Sequence, residues 1–144
     1  MKTLFINAAG TANGYFLAET AKRFRKSRIN LLVGDMNPPH LVAASKLADT
    51  FVKTPPIRSR GFRSTMVNIF RQHNVGFYIP VFPEDCVKFP FREGEKPLCL
   101  SVPARSVSLF KNKFLQRVKL KEAEIGVEDF FKTSPNTPLS LIHI

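Results

Sequence analysis

The stretch Thr3-Leu-Phe-Ile-Asn-Ala-Ala-Gly-Thr-Ala-Asn-Gly14, followed further on by Asn30-Leu-Leu-Val-Gly-Asp35, decides the fold of this chain. Each begins with a short apolar run of the kind buried on both faces of a parallel sheet, and each ends in small or polar residues that turn the chain. Between them Phe16, Leu17, Thr20, Ala21 and Phe24 recur with the helical period, leaving Glu19, Lys22, Arg23 and Lys26 for the opposite face. Asn37-Pro-Pro39 stops the second strand, because proline cannot donate to a ladder or continue a helix. One β-α-β unit results.

Outward from that unit the pattern repeats. A short helix is expected around Leu41 to Leu47, a strand at Thr50 to Lys53, and a stop at Pro55-Pro56. Gly61 to His73 reads as a helix with Phe62, Met66, Ile69 and Phe70 in one buried stripe and Arg60, Arg63, Asn68 and Arg71 toward solvent. Phe77-Tyr-Ile79 and Leu98-Cys-Leu-Ser-Val102 read as the fourth and fifth strands, the second bounded by Pro97 and Pro103. Pro83 to Lys96 carries at best a weak helix. Ser106 is expected to cap a final helix to about Glu124, with Val107, Phe110, Phe114 and Val118 along one side. Alternating strands and helices imply an α/β fold, a doubly wound, mostly parallel, Rossmann-like sheet of five strands in order 3-2-1-4-5. Ligands in such sheets bind beyond the carboxyl ends of the strands, so Ala8 to Gly14, Asp35 to Asn37, Thr54 to Pro56 and Pro80 to Asp85 should meet on one rim.

Composition narrows the class. The 144 residues are 44% hydrophobic, enough for one ordinary domain. Neither a signal-peptide core nor an apolar run of membrane-spanning length occurs, and a cytoplasmic protein is expected with no membrane partner. Cys86 and Cys99 lack the neighbours of a metal-ligand pattern and read as reduced, buried thiols. Lys plus Arg number 22 against 11 acids, a net charge of +11, with local runs at Lys22 to Arg28 and Arg58 to Arg63. The basic residues are spread over most helices with no nucleic-acid motif beside them. The charge is therefore assigned to a solvated surface or to a face toward the phosphates of a small ligand, and nucleic acid is not the expected partner.

Candidate chemistry concentrates in the turns. Gly10, Asn13 and Gly14 lie in the loop where phosphate or substrate approaches a helix N-terminus, although the three-glycine dinucleotide fingerprint is incomplete and a plain structural turn reads equally well. Asp35 stands where dinucleotide enzymes place a ribose-binding acid, and also where an acid caps a turn. Glu84 and Asp85 follow the fourth strand and can bind a cationic group, do acid-base work, or simply open a helix. His40, His73 and His143 are isolated, and no catalytic residue or metal ligand is assigned.

Taken in order, Leu4-Phe-Ile-Asn-Ala-Ala-Gly10, Gly34-Asp-Met-Asn-Pro38, Leu47-Ala-Asp-Thr-Phe-Val-Lys-Thr-Pro-Pro56, Ile79-Pro80 with Glu84-Asp85, and Leu109-Phe-Lys-Asn-Lys-Phe-Leu115 resemble the amino-terminal domain of the ATP-grasp superfamily. The branch is that of the carbamoyl phosphate synthetase large subunit, and the resemblance covers residues 2 to 127. It implies a Rossmann-like domain over 1–105, a connecting helix over 106–127, and the start of an ATP-grasp domain at 128–138. It also implies a ligase that phosphorylates a carboxylate and lets an amine or similar nucleophile displace the phosphate, by positioning and charge neutralisation. ATP and Mg²⁺ would serve the full-length parent, and carboxylate and amine would be its small-molecule substrates. Lys113, or its neighbour Lys111, matches the lysine that approaches the nucleotide phosphates, while Gly10, Asn13, Gly14, Asp35, Glu84 and Asp85 would line the acceptor-substrate side.

Departures from the family pattern follow Lys113. The expected Gly-Ile-Pro-x-Pro turn is blurred into Glu124-Ile-Gly-Val127, with Ser134-Pro-Asn-Thr-Pro138 beyond it, and the glycine-rich ATP loop and acidic Mg²⁺ ligands do not follow. The chain is therefore expected to be a catalytically incomplete fragment. Leu139-Ser-Leu-Ile-His-Ile144 translates the end of a transposase adaptor, so 139–144 reads as an artificial tail, with a natural apolar strand as the alternative. Two other classes stay open: an NAD(P)- or nucleotide-sugar-binding domain of an oxidoreductase using Gly10 to Gly14 and Asp35, and a basic nucleic-acid-binding module whose affinity falls steeply with salt. Nothing in the residues specifies the substrate pair or an oligomeric state.

Overall fold

The computed structural model describes residues 2–24, 29–82, 84–85, 97–101, 106–107, 109 and 112–126. It divides into two compact units, Met1–Ala104 and Arg105–Ile144. In the first, β1 (Lys2–Ile6) leads into α1 (Ala12–Phe24) and β2 (Ile29–Asp35); two 3-10 turns (Pro39–Leu41 and Ala43–Lys46) precede β3 (Thr50–Lys53). Then come α2 (Phe62–Gln72), β4 (Val75–Ile79) and β5 (Leu98–Cys99). All pairings are parallel and the order is β3-β2-β1-β4-β5, as the alternation of strand and helix patterns predicts.

Alternation along the strands sorts the side chains into two cores. Ile6, Leu31 and Val33 pack with Ala18 of α1 and with Val42 and Ala44 of the 3-10 segment. Phe5, Leu32 and Tyr78 pack with Phe62, Met66, Ile69 and Phe70 of α2. The second core is built around three rings, with Phe5, Phe70 and Tyr78 at centroid separations of 5.1–6.1 Å and tilted or edge-on geometry. Val75 and Tyr78 share this core although three residues apart, because the register jumps from Thr3↔Val75 to Leu4↔Phe77 and leaves Gly76 as an inserted residue in β4. Asn74, at φ 47°, makes the turn from α2 into β4, and the Thr3 hydroxyl donates to the His73 carbonyl at 2.6 Å, joining the start of β1 to that turn.

Several expectations are corrected. On α1 the buried positions are Gly14 and Ala18, with Leu17 and Ala21 partly covered, whereas Phe16 and Phe24 are 64% and 73% exposed. Small residues bring the helix axis close to the sheet, and the bulky aromatics are turned outward. The helix expected from Leu41 to Leu47 is replaced by the two 3-10 turns, in which the Ser45 hydroxyl donates to the Pro39 carbonyl. β5 is parallel as expected but not buried: it pairs only with β4 among the described strands, and Leu98 and Leu100 are about half exposed. Cys99, on that same strand, is half-buried rather than buried.

In the second unit α3 (Lys113–Glu122) begins at Asn112, whose side chain accepts from the Leu115 N–H at 3.1 Å. Ser106, Val107 and Leu109 are helical, but Asn112 has extended backbone, so the helix expected from Ser106 to Glu124 is interrupted there. Its end is a Schellman turn: Glu124 sits at φ 57°, its N–H bonds the Lys121 carbonyl, and the Ile125 N–H bonds that of Leu120. Cys86, Phe110, Lys111, the weak-helix segment apart from Glu84 and Asp85, the start of the second domain expected at 128–138 and the tail 139–144 lie outside the described residues. No described helix is long and apolar enough to cross a membrane.

Candidate functional site at the carboxyl ends of the strands

The polar residues that end the strands inherit the strands' alternation. Asn7 continues the parity of Phe5, and Thr54 that of Val52, so both stand on the α2 side of the sheet at its carboxyl edge. There they meet Tyr78 and Asp85. The Thr54 hydroxyl donates to Asn7 Oδ1 at 3.1 Å, Asn7 Nδ2 donates to Asp85 Oδ2 at 2.9 Å, and the Tyr78 hydroxyl donates to the same oxygen at 2.7 Å. All four are buried, with Asp85 only 1% exposed and Tyr78 fully covered. Burial pushes the Asp85 carboxyl above its usual range; the bonds from Tyr78 and Asn7 oppose that shift, and neighbouring Glu84 adds to it. Tyr78 is pushed well above its ordinary value, first by burial and then by the charge of Asp85.

Asp35 organises the adjoining loop. Its Oδ2 accepts the Gly10 N–H at 2.7 Å, and its Oδ1 accepts the backbone and side-chain N–H groups of Asn37, each at 2.9 Å. A Cβ at position 10 would lie 2.8 Å from that carboxylate, so glycine is what lets the loop close on it. The chain turns sharply at Ala8, which is held at φ 56°. Thr11 then starts α1: its hydroxyl donates to the Ala8 carbonyl and accepts the Gly14 N–H at 3.0 Å. Gly14 presses on that turn, where a Cβ would come within 2.4 Å of the Ala8 oxygen.

These groups line a cavity of about 270 Å³. Asn7, Gly10, Asp35, Thr54 and Asp85 supply its polar wall, and Pro55, Pro56, Ile57 and Phe62 its apolar one. The four loops expected on one rim thus meet there. Of the individual residues singled out in the sequence, Gly10, Asp35 and Asp85 line the cavity. Gly14 stands behind it in the first turn of α1, Asn13 is exposed on that same turn, and half-buried Glu84 does not line it. Lys113 belongs to the second unit, exposed in the first turn of α3, which contains no acid. Asn7 and Tyr78 escaped the sequence reading, and Thr54 entered only as a loop member. Their one signal was a hydrogen-bonding side chain at or just after the end of a strand. Among the described residues no group of three or more His, Cys, Asp or Glu could hold a metal ion.

Fold and site together define a class: a doubly wound α/β domain with a cavity at the carboxyl ends of its parallel strands. Among solved structures, the chain is similar to N5-carboxyaminoimidazole ribonucleotide synthetase from Thermotoga maritima, with a TM-score of 0.63 and 17% identity. The similarity covers 90% of this chain and 32% of that one, so the chain spans about a third of the synthetase's length. No protein-family model matches the chain, and no curated protein matches it.

Proposed function

We propose that this chain is the amino-terminal portion of an ATP-grasp ligase that activates a carboxylate as an acyl phosphate for attack by an amine, and that the cavity lies on its acceptor-substrate side. The observation that carries the reading is the buried Thr54–Asn7–Asp85–Tyr78 network at the carboxyl edge of a 3-2-1-4-5 parallel sheet, in a chain whose fold is similar to that of a solved synthetase. Burying four polar groups at a strand edge costs stability unless they bond one another, and a preformed set facing a cavity orients a bound molecule. Lys113 contributes a charge to the nucleotide phosphates, in a first helical turn that carries no acid to oppose it. ATP is held mainly by the rest of the parent protein, and Mg²⁺ by ligands beyond the described residues. Asp35 is already engaged by three N–H donors, which favours this reading over one in which its carboxylate holds the ribose of a dinucleotide.

The test extends the chain with the downstream coding sequence of its parent gene and measures ATP binding and phosphate release with carboxylate and amine pairs. ATP binding should appear and weaken about tenfold in Lys113→Ala, the loss of one charge-assisted contact. Tight NAD(P) binding by the extended protein, with no response to ATP, would overturn the proposal.

A further inference from the structure

The described helices differ in what they show to solvent. α1 carries Glu19 beside Lys22 and Arg23, and on α3 Lys119 pairs with Glu122, the mixed-charge surface of an ordinary solvated helix. α2 carries no acid at all. Its buried stripe of Phe62, Met66, Ile69 and Phe70 leaves Arg63, Ser64, Asn68, Arg71 and Gln72 exposed on the other face. Arg58 and Arg60, also exposed, precede it. Two turns, closed by the Ser59 N–H on the Pro56 carbonyl and the Phe62 N–H on the Ser59 carbonyl, hold them at the start of the helix. No acid occurs in the sequence between Asp49 and Glu84. Gly61 offers no side-chain cap and the first turn holds no acid, so the positive end of the helix dipole is unopposed there. Basic residues that the sequence spreads along the chain are thus collected, four arginines together, on one surface.

We infer that the exposed face of α2 docks duplex DNA, with Arg58, Arg60 and the helix N-terminus on the phosphate backbone and Arg63, Asn68, Arg71 and Gln72 along the major groove. Arginine, serine, asparagine and glutamine are the side chains that bond phosphate oxygens and base edges. Arg63 and Arg71 stand eight residues apart, roughly 12 Å along the axis, farther than one phosphate group reaches, so the face matches an extended array of anions. A single strand is matched less well, because Phe62 and Phe70 are buried and this face shows no ring for a base to stack on. The major groove of B-form DNA admits an α-helix, whereas that of A-form RNA is too deep and narrow for side chains to read. The docking face lies opposite the stripe that meets the sheet, and cavity-lining Phe62 belongs to that stripe. The inference goes beyond the ligase reading and stands or falls without it.

The 144-residue chain is titrated into a labelled DNA duplex of mixed sequence and binding is followed by fluorescence anisotropy. A Kd of about 10 μM is expected at about 50 mM salt, weakening about a hundredfold by about 200 mM, as counterion release from four phosphate contacts requires. Arg58→Gln, Arg60→Gln, Arg63→Gln and Arg71→Gln combined should weaken binding at least about thirtyfold. Removing as many charges elsewhere, with Lys22→Gln, Arg23→Gln, Lys119→Gln and Lys121→Gln combined, should weaken it less than about threefold. All eight positions are exposed, so both variants fold, which thermal unfolding checks. Duplex RNA and single-stranded DNA of the same sequence should bind at least about fivefold more weakly than the DNA duplex. Amide shifts on adding the duplex should gather on Arg60 to Gln72. Equal losses in the two variants would mean a diffuse attraction to the whole basic chain, and equal or tighter binding of RNA or single strands a different partner. Inorganic phosphate moving the same amides at the same phosphate concentration would mean a site for one anion. Any of these, or no binding of the duplex at the lower salt, would overturn the inference.

Discussion

Asp85 sets the terms at the scale of single residues. Its carboxyl is pushed up on folding from the ordinary value of 3.8, so in the window above that value the unfolded chain gives up a proton that the folded chain keeps. Its contribution to stability is complete below the window and is lost as pH rises through it. Asp85→Asn keeps an oxygen able to accept from both Tyr78 and Asn7 and removes the buried charge. Urea unfolding should therefore find the variant gaining on the parent chain between acid and neutral pH, and at least as stable at pH 7. Asp85→Ala strands two buried donors and should cost about 1–3 kcal/mol for each. A neutral-pH loss of stability in the asparagine variant as large as in the alanine one would show that the charge itself stabilises the network.

Two glycines make an opposed pair. At position 14 an added Cβ meets backbone, the Ala8 oxygen at 2.4 Å and the Ala9 Cα at 2.7 Å, so Gly14→Ala must push α1 off the β1 turn and should cost about 1–3 kcal/mol. At position 61 the backbone has φ −83° and the nearest atom to an added Cβ is 4.0 Å away. Gly61→Ala should therefore stabilise by about 0.4–1 kcal/mol, mainly by restricting the unfolded chain. Thermal unfolding of both variants reads the two signs directly.

Among the elements, β4 is the one whose pattern misleads. A strict period of two puts Val75 and Tyr78 on opposite faces, yet both are buried in the α2-side core, because Gly76 is an extra residue in the ladder. Deleting Gly76 should turn either Val75 or Phe77 to Ile79 to the wrong face and cost more than about 4 kcal/mol, within reach of unfolding a domain of this size. Gly76→Ala should be mild, since the added Cβ only touches the Lys2 side chain at 3.5 Å. Amide exchange on β1 and β4 separates these outcomes. α1 shows the reverse limitation. Its helical period was legible, but which of its faces meets the sheet was not, because Gly14, Ala18 and Ala21 bury little area themselves and owe their position to the close approach that they permit.

For the molecule as a whole, the ligase reading makes a negative prediction. With ATP, Mg²⁺, a carboxylate and an amine, the 144-residue chain should release no phosphate above the uncatalysed rate. One exposed lysine contact supplies about 1.5–3 kcal/mol, against the roughly 8 kcal/mol that micromolar ATP binding requires. Turnover by this chain alone, measured by phosphate release, would refute it.

What the residues determined by themselves were the strands, their parallel order, the buried stripe of α2 and the loops that form the rim. Each is written in local periodicity or in breakers such as Asn37-Pro-Pro39 and Pro55-Pro56, which act within a few residues of themselves. Only the tertiary structure decided that α1 turns Phe16 and Phe24 outward, that Leu98 and Leu100 lie half exposed on β5, and that Asn7, Thr54, Tyr78 and Asp85 share one hydrogen-bonded site. Asn7 and Asp85 are 78 residues apart, and their contact exists because parallel pairing sets the ends of β1 and β4 side by side. Local pattern specifies which residues end a strand; the order and register of the sheet decide which of those ends meet.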